Sequence, residues 1–122
     1  MNSKILLMIV RVGGLVALIG GSIYWMNGGE AESLPVLHII LGGIVTVALF
    51  ILTYQTQHAG VSKPLIILAT IWTLGLPIWG LIQKNIFPVG YLWIAQILHV
   101  LCAIGSIGIA EILGAKTSKK GS

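Results

Sequence analysis

Charge is what this chain most lacks. Only 8% of its 122 residues are charged, against roughly a quarter in a soluble domain. Aspartate is missing altogether, and the acidic residues are Glu30, Glu32 and Glu111. With 57% hydrophobic residues and a mean hydropathy of +1.01, the chain reads as one integral membrane domain over residues 1–117. Seven basic residues bring the net charge to +4. On a membrane protein such an excess is an orientation signal rather than a nucleic-acid footprint. The expected partner is the lipid bilayer, not nucleic acid.

Cysteine is nearly absent as well. Cys102 stands alone, which excludes an intrachain disulfide and a cysteine metal cluster. Inside an apolar helix a free cysteine behaves as a small hydrophobe. The first apolar run, residues 5–26, lacks an Ala-x-Ala exit and reads as a retained anchor rather than a signal peptide. Residues 118–122 form a polar tail, and the closing Gly121-Ser122 reads as a cloning remnant.

What is present is apolar length. Four runs, about 5–26, 34–54, 64–83 and 91–115, each reach the roughly 20 residues a membrane-crossing helix needs. The expected fold class is all-α, a transmembrane four-helix up-down bundle. Polar stretches 27–32 and 55–60 separate the first three runs, and Ser33 and Pro35 suit the opening turn of the second. Pro77 predicts a kink in the third helix, since proline removes a backbone hydrogen bond. Lys84 to Gly90 forms the last connector. Tyr91 and Trp93 then read as an interfacial aromatic belt.

Basic residues give the orientation. Lys4, Lys63, Lys116, Lys119 and Lys120, with Arg11 deeper, fall at one end of the bundle; Lys84 falls at the other, beside Glu30 and Glu32. That asymmetry predicts a multi-pass protein of the cell membrane with both termini cytoplasmic. Small residues recur every fourth position at Gly13, Ala17 and Gly21, and again at Cys102, Ser106, Ala110 and Gly114. Such stripes let transmembrane helices approach closely.

Two histidines interrupt the apolar helices. His38 lies in Pro35-Val36-Leu37-His38-Ile39-Ile40-Leu41-Gly42, and His99 in Gln96-Ile97-Leu98-His99-Val100-Leu101-Cys102-Ala103. They are 99 − 38 = 61 residues apart. An ionisable residue at membrane depth is costly and points to function. The same 61-residue shift superposes Ile51-Leu52 on Ile112-Leu113 and Gly14-Leu15 on Gly75-Leu76, a faint sign of a duplicated hairpin. Counting from Tyr54 and Lys116, both imidazoles lie roughly 24–26 Å above the inner face. The second and fourth helices run in the same direction and face each other across a bundle core, the usual place for a cofactor.

Gly42, one turn from His38, and Ala95 and Ala103, one turn either side of His99, leave room for a flat macrocycle. A lone zinc ion wants three or four ligands, and no acidic residue accompanies the pair. Haem iron needs only two axial ligands. The leading expectation is therefore bis-histidine haem b (heme b), with His38 and His99 as iron ligands and Gly42 and Ala103 beside the ring. The plainer alternative is that both histidines only hydrogen-bond neighbouring helices or lie near the membrane interface.

This arrangement resembles one four-helix half of the haem A synthase family and, more loosely, small four-helix b-type membrane cytochromes. Each half of that family carries a histidine near the outer end of its second and fourth helices, about sixty residues apart, as His38 and His99 are here. The resemblance implies a haem-holding scaffold. It also implies a homodimer, because full-length members join two such bundles. The family's catalytic half has a glutamate one turn before the first histidine, where this chain has Pro35, and its outer-loop cysteine pair is absent here. An electron-transferring or haem-holding role is thus expected rather than haem A synthesis, with a quinone or a respiratory protein as partner. Competing expectations are a small four-helix transporter, though the first helix offers Arg11 where such exporters carry a glutamate, and a non-redox accessory subunit.

Four other positions carry weaker expectations. Arg11 and Glu111 lie at similar depth and should form a structural ion pair. His58 is expected in solvent at the inner end, and Lys84 in a solvated loop within reach of haem propionates.

Overall fold

Four helices, each long and apolar enough to cross a membrane, make up the fold: α1 (Ser3–Met26), α2 (Ser33–His58), α3 (Lys63–Ile86) and α4 (Leu92–Gly121). The computed structural model describes residues 2–26, 33–86 and 89–121. The expected loop at 27–32 and Pro88 lie outside the described residues, as do the side chains of Pro35, Lys84, Lys119 and Lys120. The protein is a transmembrane four-helix bundle and, among the described residues, has no strand.

Helix ends depart from the sequence expectation in one direction: they run on. α2 reaches His58 rather than Tyr54, because Gln55 and Gln57 tolerate helix and the Thr56 hydroxyl donates back to the Leu52 carbonyl (2.6 Å). It stops where Gly60 adopts φ 80°, the left-handed conformation that closes helices at glycine. The Ala59 amide, bonded to the Gln55 carbonyl (3.1 Å), completes that end. α4 continues through the lysines of its tail to Gly121, with no breaker before it. α3 stays helical through Pro77, and a single 3-10 turn, Val89–Tyr91, leads into α4.

Contacts fix the directions. Arg11 of α1 meets Glu111 of α4, and the site of a Gly114 side chain meets Leu7, so α1 and α4 are antiparallel. Trp72 and Trp79 of α3 donate their indole N–H groups to the Cys102 (2.9 Å) and Ala95 (3.1 Å) carbonyls, so α3 and α4 are antiparallel too. α1 and α3 each pack on both α2 and α4, and α2 and α4 touch each other across the middle. Those two run parallel: His38 pairs with His99 near one end, and Thr56 with Thr117 (2.9 Å, hydroxyl to hydroxyl) at the other. Each threonine lies 18 residues beyond its histidine, roughly 27 Å along the helix.

The tight core fills the half of the bundle nearer the termini, around Leu6, Val10, Leu49, Leu52, Ala110 and Leu113. Its composition realises the internal echo. Val45, Ala48, Leu49 and Leu52 are buried on α2, and 61 residues later Ser106, Ile109, Ala110 and Leu113 are buried on α4. The small-residue stripes serve that packing: a side chain at Gly13 would press on Val45, and one at Gly114 on Leu7. The Gly14–Gly75 echo does not hold structurally. Gly14 faces Ile107, while Gly75 is exposed with nothing near it.

Outward-facing positions are apolar, as lipid requires; Met8, Leu15 and Ile19 on α1 and Leu101, Ile104 and Ile112 on α4 are all exposed. Buried hydroxyls of Thr53 and Thr73 donate to carbonyls one turn back in their own helices (2.8 and 2.6 Å). That satisfies them without water, which the bilayer interior does not supply. Leu52 and Leu113 are wholly buried. Alanine at either should cost about 2 kcal/mol or more, by analogy with buried leucines elsewhere. Reversible unfolding in mixed micelles measures it; a loss below about 0.5 kcal/mol would show that the site collapses or is not packed.

Candidate functional site: two histidines facing across the bundle

The bundle places the imidazoles of His38 and His99 side by side. Their ring centroids are 6.1 Å apart and the ring planes are inclined by 62°. Both residues are half-buried, on the face each helix turns toward the other. Equal depth follows from the parallel course of α2 and α4.

His38 is oriented by α1. Its Nδ1 lies 2.9 Å from the carbonyl oxygen of Ala17. A carbonyl only accepts, so Nδ1 carries the proton, and in the neutral ring the lone pair is on Nε2. A backbone carbonyl on the distal ring nitrogen is the usual support of a metal-binding histidine. Gly21, one turn beyond Ala17, makes the approach possible. A Cβ there would stand 2.8 Å from His38 Cε1 and 3.1 Å from Nδ1.

His99 is oriented by α3. A Cβ at Gly80 would stand 2.9 Å from His99 Cε1. The two indole bonds to Ala95 and Cys102 tie α3 to α4 on either side of it. Unlike His38, it has a gap in its bonding: Nδ1 is buried without a hydrogen-bond partner, the only such side-chain atom found among the described residues. An unpaired buried polar group costs roughly 1–3 kcal/mol.

The neighbours expected beside a ring fall as follows. Gly42 is half-buried, and an added Cβ would meet nothing within 4 Å, so space is present there. Ala103 is half-buried and Ala95 fully buried. Between α1 and α4 an apolar cleft of about 300 Å³ opens, lined by Ser22, Trp25, Met26, Ile97, Val100 and Leu101. Neither histidine lines that cleft.

Other sequence candidates lie elsewhere. Arg11 and Glu111 do pair: Nη2 donates to Oε2 at 2.6 Å and Nε donates to Oε1, a two-pronged ion pair. It lies toward the terminal end on the outer side of α1 and α4, and both side chains are more than 40% exposed. His58 is exposed at the end of α2, edge-on to Tyr54 with ring centroids 4.6 Å apart. Lys84 belongs to α3, not to a loop. Gly21 stood out in the sequence only as part of a small-residue stripe, and Gly80 carried no signal there at all. Their role comes from a neighbouring helix, which periodicity along one helix does not reveal.

Among the described residues no three metal-binding side chains lie together. Comparison with protein-family models, with curated proteins and with solved structures returns no match to this chain. Its own residues therefore carry the functional argument.

Proposed function

We propose that the protein is a small b-type membrane cytochrome in which His38 and His99 are the axial ligands of one haem. The supporting observation is the 6.1 Å separation of the imidazole centroids. Two imidazoles bound on opposite sides of one metal, with nitrogen–metal distances near 2 Å, hold their centroids about 6 Å apart. A pair of histidines suffices only for a metal that brings its other donors with it, as haem does. The open space at Gly42 also suits such a group.

Bound haem would supply one-electron redox chemistry at an iron with no open coordination position. The chain's own residues do the rest. Ala17 holds His38 in the tautomer that presents Nε2, and the indoles of Trp72 and Trp79 fix α4 against α3 around His99. Such a site moves electrons within the membrane, between a quinone or a respiratory protein and its counterpart, or holds haem for a larger assembly.

Titration of ferric haem into the purified protein tests this. Absorbance should saturate at one haem per chain. No binding, or binding unaffected by simultaneous loss of both histidines, would move the protein to the accessory subunits or transporters.

The orientation proposed is both termini in the cytoplasm, following Lys4, Lys63 and Lys116 at the terminal end. An enzymatic reporter fused at Ser118 should act only on the cytoplasmic side. Activity confined to the opposite side would reverse the topology.

A further inference from the structure

We infer that Gly21 and Gly80 are positioning residues, paired seats on which the two imidazoles lie. This rests on reading the histidine pair as the axial ligands of one haem, and it assigns what sets the spacing and tilt of those ligands.

The geometry repeats in both hairpins. In the first, α1 offers Gly21 and α2 brings His38 onto it; in the second, α3 offers Gly80 and α4 brings His99. A Cβ would stand 2.8 Å from His38 Cε1 in one case and 2.9 Å from His99 Cε1 in the other. Neither approach is compatible with a side chain unless the ring moves. The same ring carbon is met both times, so the two seats address the two rings alike.

Helix geometry explains why glycine is needed. In a helix the Cα–Cβ bond tilts toward the N-terminus, so a side chain at position i+4 lies over the turn that carries residue i. A side chain at position 21 would therefore cover the Ala17 carbonyl. With glycine there, His38 Nδ1 reaches that oxygen at 2.9 Å. Gly80 gives His99 the same close approach to α3, where no hydrogen bond to Nδ1 accompanies it. Gly43, Gly75 and Gly108 have nothing within 4 Å of their added Cβ, so closeness to a ring is not common to every glycine of the bundle.

The seats should govern spectroscopy and potential rather than folding alone. Alanine is a better helix former than glycine, so Gly21→Ala and Gly80→Ala keep the helices intact. Each should rotate one imidazole. In the haem-loaded full chain the anisotropy of the low-spin ferric resonance, which reports the angle between axial ring planes, should change, and the midpoint potential should move with it. Gly75→Ala and Gly108→Ala should leave both unchanged. In the haem-free chain the Cε1 proton resonance of His38 should move in Gly21→Ala and that of His99 in Gly80→Ala, without cross-effects.

Ring resonances, ferric signal and potential all unchanged in both variants would overturn the assignment while haem binding stood. A wild type that binds no haem, but whose histidine resonances respond as described, would sink the haem reading and keep the seats. Resonances that move equally in the Gly75→Ala control would also overturn the assignment, since the effect would then not be local.

Discussion

Replacing His38 or His99 with alanine is expected to abolish the six-coordinate low-spin spectrum, and the two losses should be unequal. His38 donates its Nδ1 proton to the Ala17 carbonyl, whereas His99 Nδ1 has no partner. A hydrogen bond from the distal nitrogen raises the basicity of the ligating one, and such supports are worth roughly ten- to hundredfold in affinity. The His99→Ala protein, left with its better-supported ligand, should retain haem in a five-coordinate form that binds carbon monoxide. His38→Ala should bind haem more weakly by about that factor. His58→Ala should leave the spectrum intact, since His58 is exposed at the far end of α2. Absorption spectra with and without carbon monoxide, and haem titrations of the three variants, check this. Equal affinities for the first two would deny the Ala17 bond its supporting role.

Glu111→Gln is expected to destabilise the bundle more than loss of an ordinary surface ion pair would. Exposed salt bridges in water contribute little, because solvent screens both charges. Here both side chains are exposed on the outer side of membrane-spanning helices. Arg11 lies 8 residues inside the start of α1, and Glu111 lies 6 residues before Thr117 of α4. Those offsets correspond to roughly 12 and 9 Å of helix. At such depth a single charge without its counter-ion is costly, and the pair compensates. Glu111→Gln strands the guanidinium, and Arg11→Gln strands the carboxylate. The double variant strands neither and should recover part of the loss. Thermal unfolding in lipid vesicles of all four proteins measures the coupling. A double variant as damaged as the sum of the two singles would show that the charges act independently.

Much of the architecture is legible in the sequence, because the bilayer imposes long apolar runs and punishes stray charge. The shared depth of His38 and His99 was legible even though the helix ends were not. α2 runs four residues past Tyr54 and α4 five past Lys116, so the two displacements nearly cancel. Arg11 and Glu111 were legible as a pair because each charge had few places to go. The seats were not. Gly21 sits 17 residues before its histidine and Gly80 sits 19 before its own, so no single shift aligns both hairpins. A 61-residue echo that is sound for α2 and α4 therefore pairs the wrong glycines of α1 and α3, matching Gly14 with an exposed Gly75. What glycine does here depends on the ring that crosses it, and the crossing is a property of the packed bundle.

The absorption spectrum of the purified wild-type protein, supplied with haem, oxidised and then reduced, tests the central claim most directly. Two histidines on one iron predict a sharp α band on reduction and little change on adding carbon monoxide. A spectrum with no haem bands would contradict the account, and so would a reduced form that binds carbon monoxide fully.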